Sequence, residues 1–222
     1  MKKGLTELVM ILDKSGSMHG LEADTIGGFN SMIEKSRKDE GEVLVSAVLF
    51  NERSEVIYNR VDINKIEPMT DRQYVVSGCT ALLDAVGSAI HHIRHLHKHI
   101  SPDEVPEKTL FIITTDGMEN ASRRYTYDHV RKMIEKAKNK HHWEFIFMGA
   151  NIDAIETASR FGIDARRAVT YRNDSEGTQL NYAVMTEIVH RVRASKDHAS
   201  MKCMLDDETI MAPIREHMKE TK

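Results

Sequence analysis

The stretch Leu8-Val9-Met10-Ile11-Leu12-Asp13-Lys14-Ser15-Gly16-Ser17-Met18 joins five consecutive apolar residues to an aspartate and two alternating serines. An apolar run this short, bounded by polar residues, suits a strand covered on both faces, as in parallel sheets, although a piece of buried helix has the same pattern. On the strand reading, Asp13 stands at the carboxyl end. In open α/β sheets ligands bind in the crevice beyond the carboxyl ends of the strands, which puts Asp13, Ser15 and Ser17 where chemistry is done. Three oxygen side chains at alternate positions can converge on one cation. The same residue types also populate turns and cap helices, so this stretch alone leaves both readings open.

Outward from it, the chain repeats the pattern. Leu21 to Lys38 carries Ile26, Phe29, Met32 and Ile33 at helical spacing, with Lys35, Arg37 and Lys38 favouring its C-terminal end. Val43 to Phe50 reads as a buried strand, and Val56-Ile57-Tyr58, across the turn residues Asn51 to Ser54, as its hairpin partner, which predicts one antiparallel edge strand. Gly78-Cys79-Thr80 is a second small-residue loop before a helix from Ala81 to about Ile100. Thr109 to Thr115 is the clearest buried strand and ends on Asp116-Gly117. A helix over Tyr127 to Lys138, a strand over Trp143 to Met148, a short helix over Ile152 to Phe161, a strand over Ala168 to Tyr171 and a helix over Gly177 to Ser195 follow. Strands alternating with helices predict an α/β fold: a doubly wound, mostly parallel central sheet with one antiparallel edge strand and helices on both faces. The expected domain spans residues 1–195. Residues 196–222 form an extension dotted with Met201, Met204, Met211 and Met218 and broken by Pro213, which suits either a flexible tail or a short docking helix.

The 222 residues suffice for one generous domain, and 41% hydrophobic with 29% charged residues is the composition of a folded globular chain rather than a disordered one. A formal charge of −3 provides no global basic field, which argues against nucleic acid as a partner. No apolar stretch approaches the ~18 residues a membrane span needs. Cys79 and Cys203 lack the spacing of a disulfide framework or a C-x-x-C motif, so a reducing, cytoplasmic setting is expected. His91, His95 and His99 form a stripe opposite the apolar face of their helix; no carboxylate or cysteine completes a chelate there, and a solvated surface is expected. His19, a polar residue just before a helix, is expected to be solvated as well.

Taken together, Asp13-x-Ser15-x-Ser17, the distant Thr80 and the distant Asp116 occur in the order of the metal-ion-dependent adhesion site (MIDAS) of the von Willebrand factor type A domain family, which this chain resembles over about residues 5 to 195. Gly78-Cys79-Thr80-Ala81-Leu82-Leu83-Asp84-Ala85-Val86 is similar to the family's G-G-T-x-L-x-x-A-[VI] stretch, and Thr114-Thr115-Asp116-Gly117 to its T-D-G strand end; Cys79 departs from the usual glycine. The resemblance implies a Rossmann-like fold, with Ser15, Ser17 and Thr80 as hydroxyl ligands and Asp13 and Asp116 as carboxylates that hold an ion directly or through water. An all-oxygen donor set suits a hard divalent ion, Mg²⁺ or Mn²⁺, over Zn²⁺ or copper. Neutral hydroxyls leave the ion electrophilic, and the helix N-termini near Leu21 and Ala81 are expected to add positive potential.

The expected function is therefore a non-enzymatic, metal-dependent protein-interaction module that captures a Glu or Asp of another protein. The resemblance implies partners among chaperone-like ATPases or stress-response and modification systems. The alternative is a Mg²⁺-dependent phosphoryl-transfer hydrolase using Asp13. Such enzymes usually carry a second aspartate two positions on, where this chain has Ser15, and an acidic pair where it has Asp116-Gly117; neither G-x-x-x-x-G-K nor G-x-G-x-x-G occurs. Replacing His91, His95 and His99 together by Gln is expected to change stability by no more than about 0.5 kcal/mol, checked as the shift in Tm; a large drop would revive the chelate.

Overall fold

The computed structural model describes residues 1–220; Thr221 and Lys222, the last two of the extension, lie outside the described residues. The opening apolar run lies in β1 (Lys2–Asp13), where Leu8, Met10 and Leu12 enter one apolar cluster and Val9 and Ile11 another. Successive side chains of a strand point to opposite faces, so a strand covered on both sides must be apolar throughout. β1 begins at Lys2, well before Leu8, because Thr6 and Glu7 are also buried. With β2 (Glu42–Phe50), β3 (Ser54–Asp62), β4 (Pro106–Thr115), β5 (Glu144–Ala150) and β6 (Ala168–Tyr171) it forms, among the described residues, a six-stranded sheet of order β3-β2-β1-β4-β5-β6. Every neighbouring pair is parallel except β2 with β3. This is the doubly wound sheet with one antiparallel edge that the sequence predicts.

On one face, α1 (Glu22–Ser36) packs against α5 (Ser175–Ala194); on the other lie α2 (Leu82–His99), α3 (Tyr127–His141) and α4 (Ala154–Arg160). Residues beyond Lys196 fold as α6 (His198–Leu205), a 3₁₀ turn (Glu208–Met211) and α7 (Ala212–His217), which bury Met201, Leu205, Met211 and Ile214 in the cluster shared with α1 and α5. Asp153, Asp174 and Asp197 cap α4, α5 and α6 by accepting a backbone N–H in the first turn. No helix of the described residues is long and apolar enough to cross a membrane. His91, His95 and His99 are exposed, and no group of three His, Cys, Asp or Glu among the described residues is placed to hold a metal ion.

Two buried carboxylates lie away from the carboxyl ends of the strands. Glu7, fully buried on β1, accepts from Arg60 Nε at 3.0 Å and pairs with His97 Nε2 of α2 at 2.5 Å. Arg60 reaches it from a bulge in β3, where its φ is +52° and its N–H is bound by Ser46 Oγ at 3.0 Å. Glu144 pairs with the buried Arg167 and with His198 Nε2 at 2.8 Å, while Arg167 Nη2 also donates to Asp206 Oδ1 at 2.7 Å. That network ties the C-terminal helices to the sheet. Arg167→Ala should destabilise the protein by ~3–5 kcal/mol, because breaking a buried pair strands its partner, whereas Glu144→Gln with Arg167→Met together should cost much less. Thermal unfolding of both variants checks the ordering.

Candidate metal centre

The chain after β1 turns to β2, and the chain after β4 turns to β5 on the opposite side, so the carboxyl ends of the neighbouring strands β1 and β4 bound a topological crevice. Register places Leu12 beside Thr114, which sets Asp13 next to Thr115 and Asp116. Asp13 is buried and fixed at three points: Oδ1 accepts from Ser15 N at 2.7 Å, Oδ2 from Thr115 Oγ1 at 2.5 Å, and its carbonyl accepts from the Tyr74 hydroxyl. Ser15 Oγ lies 3.2 Å from Ser17 Oγ, and Ser17 Oγ donates to Asp116 Oδ1 at 2.5 Å.

Thr80 enters from the loop before α2. Its N–H donates to Asn120 Oδ1 at 2.9 Å and its carbonyl accepts from Asn120 N at 3.0 Å, so the segment after β4 holds it by both backbone groups. Gly16 N donates to Gly78 O at 3.0 Å and draws the serine loop against the threonine loop. Gly117 faces both: a Cβ there would stand 3.1 Å from Thr80 Oγ1 and 3.2 Å from Ser17 Oγ. The five residues named from sequence thus stand together, with Asp13, Ser15, Thr80 and Asp116 buried and Ser17 exposed. His19 points elsewhere, exposed and 3.3 Å from Glu22.

Several residues that position the centre escape sequence reasoning. Thr115 and Tyr74 fix Asp13, and Asn120 fixes Thr80. The α2 N-terminus, expected to offer positive potential, is instead engaged: Leu83 N donates to Glu119 Oε2 at 2.8 Å and Asp84 N to Ser122 Oγ at 3.0 Å. In return the Asp84 carboxylate accepts from Arg123 N, Arg124 N and Tyr125 N at 3.0, 2.9 and 2.9 Å. The loop after β4 and the helix start cap each other, and the Glu119 charge offsets the helix dipole there.

Electrostatically the centre is unfavourable as it stands. Burial pushes the Asp116 carboxyl up to about 6, with the nearby Asp13 carboxylate adding to the rise against the Ser17 hydrogen bond. Asp13 is also raised, by burial, against its bonds from Thr115 and Ser15. Asp116 Oδ2 is buried and receives no hydrogen bond of normal geometry, the Asn173 side chain being close enough only to hold the rise of its carboxyl back. A buried carboxylate oxygen left unpaired costs several kcal/mol of desolvation unless something cationic compensates, and hard oxygen donors around a glycine-lined opening fit a divalent ion. Ser17, Thr80 and Asp116 would hold it, with Ser15 and Asp13 alongside.

Two solved structures share this architecture over most of the chain. A von Willebrand factor type A protein from Catenulispora acidiphila superposes with a TM-score of 0.54 and 13% identity, covering 86% of this chain and 43% of that one. The ArnB paralog VWA2 from Sulfolobus acidocaldarius superposes at 0.52 with 22% identity, covering 83% and 45%. The chain has the von Willebrand factor type A fold. A third structure with this type A fold, proximal thread matrix protein 1 from the mussel byssus with a zinc-occupied MIDAS motif, superposes at 0.57 with 15% identity over 85% of this chain and 46% of its own. The chain spans less than half the length of each of these proteins. No protein-family model matches the sequence, and no curated protein matches it.

The raised carboxyls make a pH prediction with a definite sign. A group whose folded-state pKa lies above its unfolded value binds its proton more tightly when folded, so its contribution to stability is complete below about pH 4 and is lost as the pH rises through about 6. In EDTA, Asp116→Asn should remove that loss and stabilise the protein near neutral pH by on the order of 1–3 kcal/mol. Unfolding profiles of both proteins from acid to neutral pH test this; identical slopes would refute it.

Proposed function

We propose that the chain is a metal-dependent protein-interaction module: a divalent ion, Mg²⁺ or Mn²⁺, held by Asp13, Ser15, Ser17, Thr80 and Asp116, takes a glutamate or aspartate of a partner protein as a further ligand. The observation that carries the reading is the buried Oδ2 of Asp116, which receives no hydrogen bond of normal geometry, beside the exposed hydroxyl of Ser17, a demand for a cation at the edge of solvent. Hydroxyl ligands leave much of the ion's charge unquenched, which favours an added carboxylate. Met118, exposed directly after Asp116 and Gly117, puts an apolar side chain beside the polar centre, which is what a protein partner covers.

The reading is non-enzymatic. Ser15 stands where such hydrolases usually carry a second aspartate, and Gly117 where they carry the second member of an acidic pair, which weighs against the hydrolase. Cys79 and Cys203, both free and exposed, support a reducing, cytoplasmic setting. Candidate partners are acidic surfaces of ATPase or stress-response proteins. The zinc in the mussel protein makes zinc the competing ion for any titration.

Calorimetric titration with Mg²⁺, Mn²⁺ and Zn²⁺ should give one principal site that Thr80→Ala weakens about tenfold or more and Asp116→Asn abolishes. Capture of an acidic partner from native lysate should require the ion and fail in EDTA. Equal metal affinity in wild type and Asp116→Asn would sink the assignment, and equal capture in EDTA would move recognition to another surface.

A further inference from the structure

The opposite end of the sheet carries a second feature of contrasting chemistry. Between the C-terminal ends of α2 and α3, beside the start of β4, lies a cavity of about 830 Å³. Arg94 and Lys98 from α2 and Lys136 and Lys140 from α3 line it, and among the described residues no acidic side chain does. None of these four cations has an ion-pair partner in the described structure, whereas Arg131 and Lys132 on the outer face of α3 are paired with Glu135 and Asp128. The floor is apolar, formed by Trp143 with Ile100 and Pro106. His97 and His141 pack their rings on Trp143 at centroid distances of 5.4 and 5.6 Å.

Cations in the last turn of a helix are often explained by the dipole alone. That account covers Lys98 and Lys140 but not Arg94 and Lys136, which sit about a turn earlier and lean into the same cavity. Two helix C-termini contribute roughly −1 charge in total, against four permanent positive charges. The excess is felt locally: His141 is held below the usual imidazole value, first by burial and then by His97, Arg94, Lys136 and Lys140. A chain of net charge −3 that gathers four unpaired cations around one hollow has an electrostatic focus there.

We infer that this cavity binds a small anion carrying several phosphate groups. Lysines serve as point-charge phosphate donors, Arg94 can grip two phosphate oxygens at once, and the volume lies in the range of small-molecule sites. Nucleic acid fits less well, because the chain as a whole has a net charge of −3 and these four cations converge on one concavity. The site is distinct from the metal centre, which lies at the carboxyl ends of the strands.

The full chain provides its own reporter, since Trp143 is the sole tryptophan. Inorganic tripolyphosphate and ATP are titrated separately in EDTA, which keeps the metal centre out of the measurement, with both calorimetric heat and Trp143 emission recorded. Saturable binding of either probe is expected, with Lys136→Gln/Lys140→Gln weakening it at least about tenfold and Arg94→Gln acting in the same direction. His91→Gln, on the exposed face of α2, should leave it unchanged. Tighter binding of ATP than of tripolyphosphate would assign the occupant to nucleotides, and the reverse to phosphate chains without a base; both support the site. No saturable signal up to about 1 mM of either probe, or equal affinity in the double variant, overturns it. Tighter binding of a single-stranded oligonucleotide of matched phosphate number would overturn it in favour of nucleic acid.

Discussion

The parallel pairing of β1 with β4 brings two buried aspartates from distant parts of the chain to one point, and the rest of the structure answers that placement. Both carboxyls are raised by burial in the crevice, and the Asp13 charge adds to the rise of Asp116. Folding accepts it because the β1 and β4 core positions on both faces are filled by Leu8 to Leu12 and Leu110 to Ile113, all buried. The apolar burial of the two central strands therefore outweighs the cost of the polar ends they carry.

The loops around the crevice are held by bonds to one another as well as by their own residues. Neither α1 nor α2 has a side-chain cap at its N-terminal residue, in contrast to α4, α5 and α6. For α2 the capping groups come from the loop after β4, through Glu119 and Ser122, and Asp84 repays three backbone donors of that same loop. Thr80 and Asp116 thus belong to one clasped unit, and Asn120 at its centre binds the Thr80 backbone. Preorganisation of this kind lowers the entropy that ion binding would otherwise have to overcome.

The sheet was legible in the sequence because parallel strands covered on both faces leave continuous apolar runs, and the five polar residues of the centre because each follows such a run or a glycine loop. What was not legible depended on partners distant in sequence. Thr114 and Thr115 look alike, yet only register decides that Thr115 faces Asp13. Glu7 reads as a polar break before the first strand, but Arg60 and His97 let it be buried inside that strand. The segment after Lys196 carried sparse apolar residues without a clear period; its docking joins burial of Met201, Leu205, Met211 and Ile214 to the Arg167, Glu144 and Asp206 network, whose members are scattered along the chain.

An open sheet has two edges, each a row of unpaired backbone groups able to recruit a strand from another molecule. Here both are obstructed. On β3 the left-handed Arg60 breaks the regular ladder with a bulge and turns a charged side chain inward to Glu7, so a second copy would meet a kinked edge. On β6 the strand is only Ala168–Tyr171, α7 packs against it, and Arg215 donates to the carbonyl oxygens of Arg166 and Ala168 at 3.5 and 3.4 Å. The docked C-terminal helices therefore cover this edge, and loss of α7 would expose the outward backbone groups of β6 to a strand from another molecule.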